Sequence, residues 1–166
     1  MFLNSITSGD FTRVTTSAEY PLGSLAWDNP DPNGSIAAKA ARQGPTVWRY
    51  VFNDDGATNW AAGNVVSCEA AKGPGRGRLS PANSNVAGVL GVAQHAIAFG
   101  SYGWVLCYGI GEVLADTGGI TADTGLIVGD AAGTADNAAA IDNVAFGWSL
   151  DAVIAGALAT SFIRCI

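Results

Sequence analysis

An all-β fold, a small barrel or sandwich, is what the sequence predicts, on three observations. Runs of roughly five β-branched and aromatic residues recur along the chain, separated by glycine, proline, asparagine and aspartate. Residues Thr46–Phe52 alternate, with Trp48, Tyr50 and Phe52 on one face and Val47, Arg49 and Val51 on the other. The long apolar stretch Asn85–Tyr108 is broken by Gly88, Gly91, Gly100 and Gly103, each costing a helix about 1 kcal/mol against alanine. A chain of 166 residues fits one domain, which buries about two-thirds of its unfolded surface.

Residues 1–34 read as irregular, Ser/Thr-rich and closed by the turn-forming DNPDPNG at Asp28–Gly34. Fully extended, residues 1–20 would span about 66 Å, against a radius of gyration of about 15 Å for the compact chain. They are therefore expected to form an extended arm able to reach a neighbouring molecule. A short helix follows at Ser35–Gln43, with Ser35 as N-cap and Gly44-Pro45 as stop. The chain thus divides into an arm with one short helix, residues 1–45, and a β-rich domain, residues 46–166.

Within that domain Thr46–Phe52 and Gly63–Glu69 are joined through the turn signal Asn53–Gly56. Strands are expected near Val89–Gln94, Ala96–Phe99 and Trp104–Tyr108, with Gly103 free to take the positive φ that the last one requires. Gly111–Ala115, Gly125–Val128, Ala145–Leu150 and Thr160–Cys165 close the fold. Lys72–Ser84 (KGPGRGRLSPANS) holds glycines and prolines and reads as an exposed, mobile basic loop.

Only 13 % of residues are charged while 49 % are hydrophobic, a lean surface that implies coverage by partners. No apolar run approaches the roughly eighteen residues of a membrane span, and MFLNSITSGDF lacks the basic and apolar regions of a secretory signal. Cys68, Cys107 and Cys165 are odd in number and without C-x-x-C pairing, so reduced thiols are expected. The net charge of −6 is uneven: residues 1–84 carry seven acids and seven bases, residues 85–166 seven acids and only Arg164. Nucleic acid is not an expected partner of the acidic half.

Catalytic patterns are missing. His95 has no acid–nucleophile pattern around it, and neither G-x-S-x-G nor H-E-x-x-H occurs. A P-loop pattern is lacking around Lys72–Ser84. Asp130, Asp136 and Asp142 lack the EF-hand spacing and its terminal glutamate. No enzyme, metal site or cofactor is expected.

The order PLGSLAW, TVWRYVFNDDGATNWAAGNVV, NVAGVLGVAQHAIAFGSYGWVLCYGIGEVL, ITADTGLIVGD, VAFGWSLDAV and TSFIRCI, over residues 21–166, resembles the capsid decoration (cement) proteins of tailed bacteriophages. Its most specific element is GVAQHAIAFGSYGWV; NPDPNGSIAAKAARQG departs from the shorter relatives. The resemblance implies a β-tulip-like domain that binds the major capsid protein and stabilises the outer shell of a virion assembled in the host cytoplasm. It also implies a homo-oligomer, a trimer being favoured, with no membrane partner. In that setting Lys72, Arg76, Arg78, Arg13 and Phe11 are the expected capsid-docking residues. Trp104, Tyr102, His95 and Trp148 are the expected oligomer or core residues. Two alternatives stay open: a carbohydrate- or receptor-binding fibre module using Trp27, Trp60 or Trp148, and a small β-barrel hydrolase with carboxylates gathered by the fold.

Overall fold

The structure, a computed structural model, describes residues 2–3, 10–28, 45–69, 71–73, 75–139 and 145–165. These carry eleven strands: β1 Phe2–Leu3, β2 Leu25–Asp28, β3 Thr46–Asn53, β4 Val65–Cys68, β5 Arg76–Leu79, β6 Val89–Ala93, β7 Tyr102–Leu114, β8 Gly125–Val128, β9 Ala135–Asn137, β10 Gly147–Ser149 and β11 Leu158–Arg164. All join one sheet, in the order β1-β2-β3-β5-β4-β6-β7-β11-β10-β8-β9. The fold is all-β, as the alternating and β-branched runs predict. Two 3-10 turns, Asp10–Thr12 and Val86–Gly88, are its helical elements among the described residues. The helix expected at Ser35–Gln43 lies outside the described residues. No helix among the described residues is long and apolar enough to cross a membrane.

The sheet closes on itself because β3 pairs with β7 as well as with β5. That ring, β3-β5-β4-β6-β7, is a small barrel whose interior is filled by Val51, Trp60, Val66, Leu90, Ala93, Ile97 and Val105. The second half of β7 continues into another roll, β7-β11-β10-β8-β9. A parallel bridge between Ala115 and Ala135 brings its last strand back beside the end of β7. Its core contains Val113, Leu126, Val128, Phe146, Ala159 and Ile163. One thirteen-residue strand therefore belongs to both rolls.

A single irregularity makes this possible. Between Val47 and Trp48 the β3–β7 register jumps from Tyr108 to Leu106, leaving Cys107 as the extra residue of a bulge. Before it, Trp104 and Leu106 face the larger core cluster; beyond it Val113 does. Tyr108, Ile110, Glu112 and Leu114 consequently turn outward. Gly109 follows at φ +112°, and a Cβ there would meet Thr46 Cγ2 at 2.8 Å and Pro45 O at 3.2 Å. Gly109→Ala is expected to cost about 2 kcal/mol through strain and crowding, read as a lowered urea midpoint with an unchanged slope.

The N-terminal segment is extended in backbone but not free. Phe11 is 1 % exposed, stacked on Trp48 at 5.1 Å and edge-on to Trp104 at 5.5 Å. Tyr20 meets Tyr50 at 5.2 Å and Trp104 at 5.4 Å. Thr15 bridges Tyr102, the Glu19 amide donates to the Tyr50 hydroxyl, and β2 pairs with β3. Residues 10–28 thus strap the outside of the barrel and do not reach away from it. Aromatic pairs worth about 0.5–1.5 kcal/mol each beyond burial outweigh the freedom of a solvated tail.

Three other expectations change. Lys72–Ser84 is not a loop throughout, since Arg76–Leu79 forms β5 between β3 and β4. Ala96–Phe99 forms no strand, although Ile97 bridges Trp60. The positive φ of that turn falls on Gly100, while Gly103 makes room for Ile97, whose Cδ1 would lie 2.8 Å from an added Cβ.

Candidate interaction surfaces

The expected docking residues converge, but with their charges already engaged. β5 pairs in parallel with the end of β3, which sets Arg76 beside Phe52. There the Arg76 guanidinium lies 5.1 Å from the Phe52 ring centre and donates to Asp54 at 2.8 Å. Lys72 reaches the same Asp54 oxygen at 3.1 Å, and Arg78 meets Glu69 at 3.3 Å. Arg13 pairs with Glu19 at 2.7 Å. Burial opposes ionisation of Asp54, but Arg76 and Lys72 together outweigh it and hold the carboxyl below its ordinary value. Phe52 in turn touches Tyr102, which bridges Thr15 of the strap. Arg13, Lys72 and Arg76 therefore adjoin one end of the barrel. Phe11, grouped with them from sequence, is buried in the core and has no surface to offer.

Of the residues expected in an oligomer or core, Trp104 is 1 % exposed and Tyr102 and His95 are half-buried. Trp148 is different: it is 42 % exposed and stacks on Phe162 at 4.6 Å. Register explains its setting. Trp148 lies opposite Phe162, and Phe162 opposite Ile110, so one row of side chains crosses β10, β11 and β7 on the outer face of the second roll. Tyr108 meets Phe162 edge-on at 5.2 Å. Leu158 pairs with Leu114 on the same face, and Leu150 follows Trp148 two residues on. Of the tryptophans that a sugar platform would use, Trp27 is exposed and Trp60 fills the barrel interior.

The fold also gathers carboxylates that sequence spacing does not. Asp116, Asp130 and Asp136 offer oxygens within 4.8 Å of one another. Asp142 lies outside the described residues. Asp116 is 2 % exposed; one of its oxygens accepts from the Thr117 amide and the other from the Asp130 amide. Burial disfavours its charge, but these amides and that of Ala131 outweigh burial and hold its carboxyl below the ordinary value. A general acid needs the opposite shift. The arrangement suits a staple: it ties the end of β7 to the loop before β9. Among the thiols, burial pushes Cys107 up to about 11 and Cys165 up to about 12, so neither is a thiolate nucleophile at neutral pH.

No protein-family model matches the sequence, and no curated protein matches it. Among solved structures, the chain is similar to the crystal structure of the head fiber gp8.5 N base of bacteriophage phi29, with a TM-score of 0.50 and 22 % identity. The match covers 72 % of this chain and 95 % of that one. At this identity the likeness establishes a shared fold.

Proposed function

We propose that this chain is a structural protein of a tailed-phage virion, seated on the outer capsid surface, where it binds the major capsid protein and bridges its subunits. The observation that carries this is the fold it has in common with the phi29 head-fiber base, together with the sequence resemblance to capsid decoration proteins. The barrel end bearing Arg13, Lys72 and Arg76 is the docking end in this reading, and the acid-rich second roll points outward. Exposed ion pairs are worth only about 0–1 kcal/mol each. The basic residues accordingly steer approach, and apolar contact with the shell holds the complex. Repetition over many capsid sites multiplies a modest affinity.

The test is co-sedimentation of the purified chain with capsids built from the major capsid protein encoded in the same genome, followed by imaging. Density on the shell exterior is expected. Arg13→Ala with Lys72→Ala, which leaves Arg76 on Asp54, is expected to slow association on the order of threefold at low salt and to flatten its salt dependence. Failure of the wild-type chain to sediment with capsids would refute the proposal.

A further inference from the structure

The outer face of the second roll holds a notch beside Trp148. On β10 this residue stands between Phe162 of β11 and Gly125 of β8. The two rings stack at 4.6 Å and 24°, close to the roughly 4.8 Å spacing of neighbouring strands. Both rings therefore stand edge-up on the sheet, and Phe162 covers one side of the indole. On the other side Gly125 has no side chain. The atoms nearest to where its Cβ would lie are the methyls of Ala145 and Ala138, at 3.3 and 3.4 Å. One ring face is thus left open above a floor of small residues, and Trp148 is 42 % exposed. Its indole N–H has no partner among the described residues. Charge around the notch is one-sided. Asp123, exposed, lies two residues before Gly125, and its amide donates to Ser149 next to Trp148. Its carboxylate has no partner among the described residues. Asp136 stands opposite Ile127, two residues beyond Gly125. Glu112 and Asp151 lie on the same roll, and Arg164 is the one base of residues 85–166.

We propose that this notch binds a neutral hexopyranose, one sugar unit of an uncharged glycan. A single open ring face suits a flat ligand. A cage for a rounded cation needs several ring faces turned on one point, and here Phe162 is turned onto Trp148 instead. A pyranose is a disc of the required kind. One of its faces carries C–H groups whose partial positive charge is drawn to the negative π-face of an indole, and hydroxyls ring its edge. The free indole N–H and the Asp123 carboxylate supply a donor and an acceptor for those hydroxyls. Charge removes the competing occupants. The acids repel phosphate-bearing polymers and anionic lipid, and a second copy of a chain with net −6 brings more of the same charge. One stacked ring with two hydrogen bonds implies an affinity on the order of 1 mM for a single sugar. The inference does not rest on capsid docking.

The experiment titrates the free, full-length chain by NMR with cellotetraose, chitotetraose and mannotetraose, and in parallel with anionic tetragalacturonate and with hexalysine. The chain has five tryptophans and so five indole N–H signals; the one that Trp148→Ala removes is that of Trp148. At least one neutral sugar is expected to move this signal saturably, and tetragalacturonate and hexalysine are not. Trp148→Ala is expected to weaken binding more than about tenfold with circular dichroism unchanged, since that side chain is already half in water. Asp123→Asn keeps the shape and the tolerance of positive φ, and is expected to weaken binding about threefold through the lost charged acceptor. Trp27→Ala, at an exposed tryptophan elsewhere, should bind as wild type does. The proposal is overturned if no neutral sugar moves the Trp148 signal at concentrations well above the expected constant. It is equally overturned if tetragalacturonate or hexalysine binds there as well as the neutral sugars, or if Trp148→Ala, correctly folded, binds like wild type.

Discussion

Trp104→Ala is expected to destabilise the protein by about 3–5 kcal/mol, the range for emptying a large aromatic site in a core. Its ring touches Phe11, Tyr20 and Tyr50, so one substitution loosens the strap and the β3–β7 wall together. For a chain of this size the melting temperature should fall by roughly 10–15 °C. Calorimetry checks the magnitude. Hydrogen exchange checks the mechanism: the amides of Thr15 and Glu19, donors or neighbours in strap contacts, should lose protection before those of β11. A fall under about 1 kcal/mol would mean that the strap is held by something other than this aromatic cluster.

Asp116→Ala should cost about 2–4 kcal/mol at neutral pH, because the amides that its two oxygens accept lose a charged partner. Asparagine should not rescue it, since its NH2 group would face an amide donor. The pH dependence has a definite sign. The folded-state pKa lies below the ordinary 3.8, so the contribution is complete above that value and disappears as pH falls through the lowered one. Urea titrations at pH 7 and at about pH 2 should therefore find a wide gap between wild type and variant at the first and a narrower one at the second. An equal gap at both would show that the ionised carboxylate is not what secures the loop.

The parts of the fold that could be read from sequence are those whose own residues carry the signal. Val47, Val51 and the aromatics of β3 alternate, Val65–Val66 and Phe162–Ile163 are β-branched or aromatic, and Val89–Val92 is a short apolar run. β5 could not be read this way. Arg76-Gly77-Arg78-Leu79 looks like a solvated loop, and becomes a strand because β3 and β4 leave a slot between them. Only glycine fits at Gly77, where a Cβ would meet Val66 at 2.7 Å and Trp60 at 2.8 Å. From sequence β7 reads as two strands parted at Gly109 and Gly111, which look like breaks but serve the bulge and the close approach of Gln94. Phe11 and Tyr20 were the available clue that the arm folds back.

The interaction surfaces were legible as residues and not as arrangements. Lys72, Arg76 and Arg78 stand out in the chain, but their partners Asp54 and Glu69 arrive from the ends of β3 and β4, the two strands that flank β5. Asp116 gave no sign of itself, because it sits fourteen residues before Asp130 and joins it only through the bridge that closes the second roll. The exposed row at Trp148 depends on the register of three strands, which side-chain pattern alone does not set.

A strand common to two rolls also decides how the molecule carries tension. If one end is fixed to a shell and the other is pulled, the pull runs lengthwise down β7. Hydrogen bonds to β3 along its first half and to β11 along its second lie across that direction. They must then slide past one another together, in shear, and cannot open one by one like a zipper. Two domains on a flexible linker would swing first and fail separately. Here one continuous strand runs through both rolls, and the chain would behave under strain as a single stiff rivet.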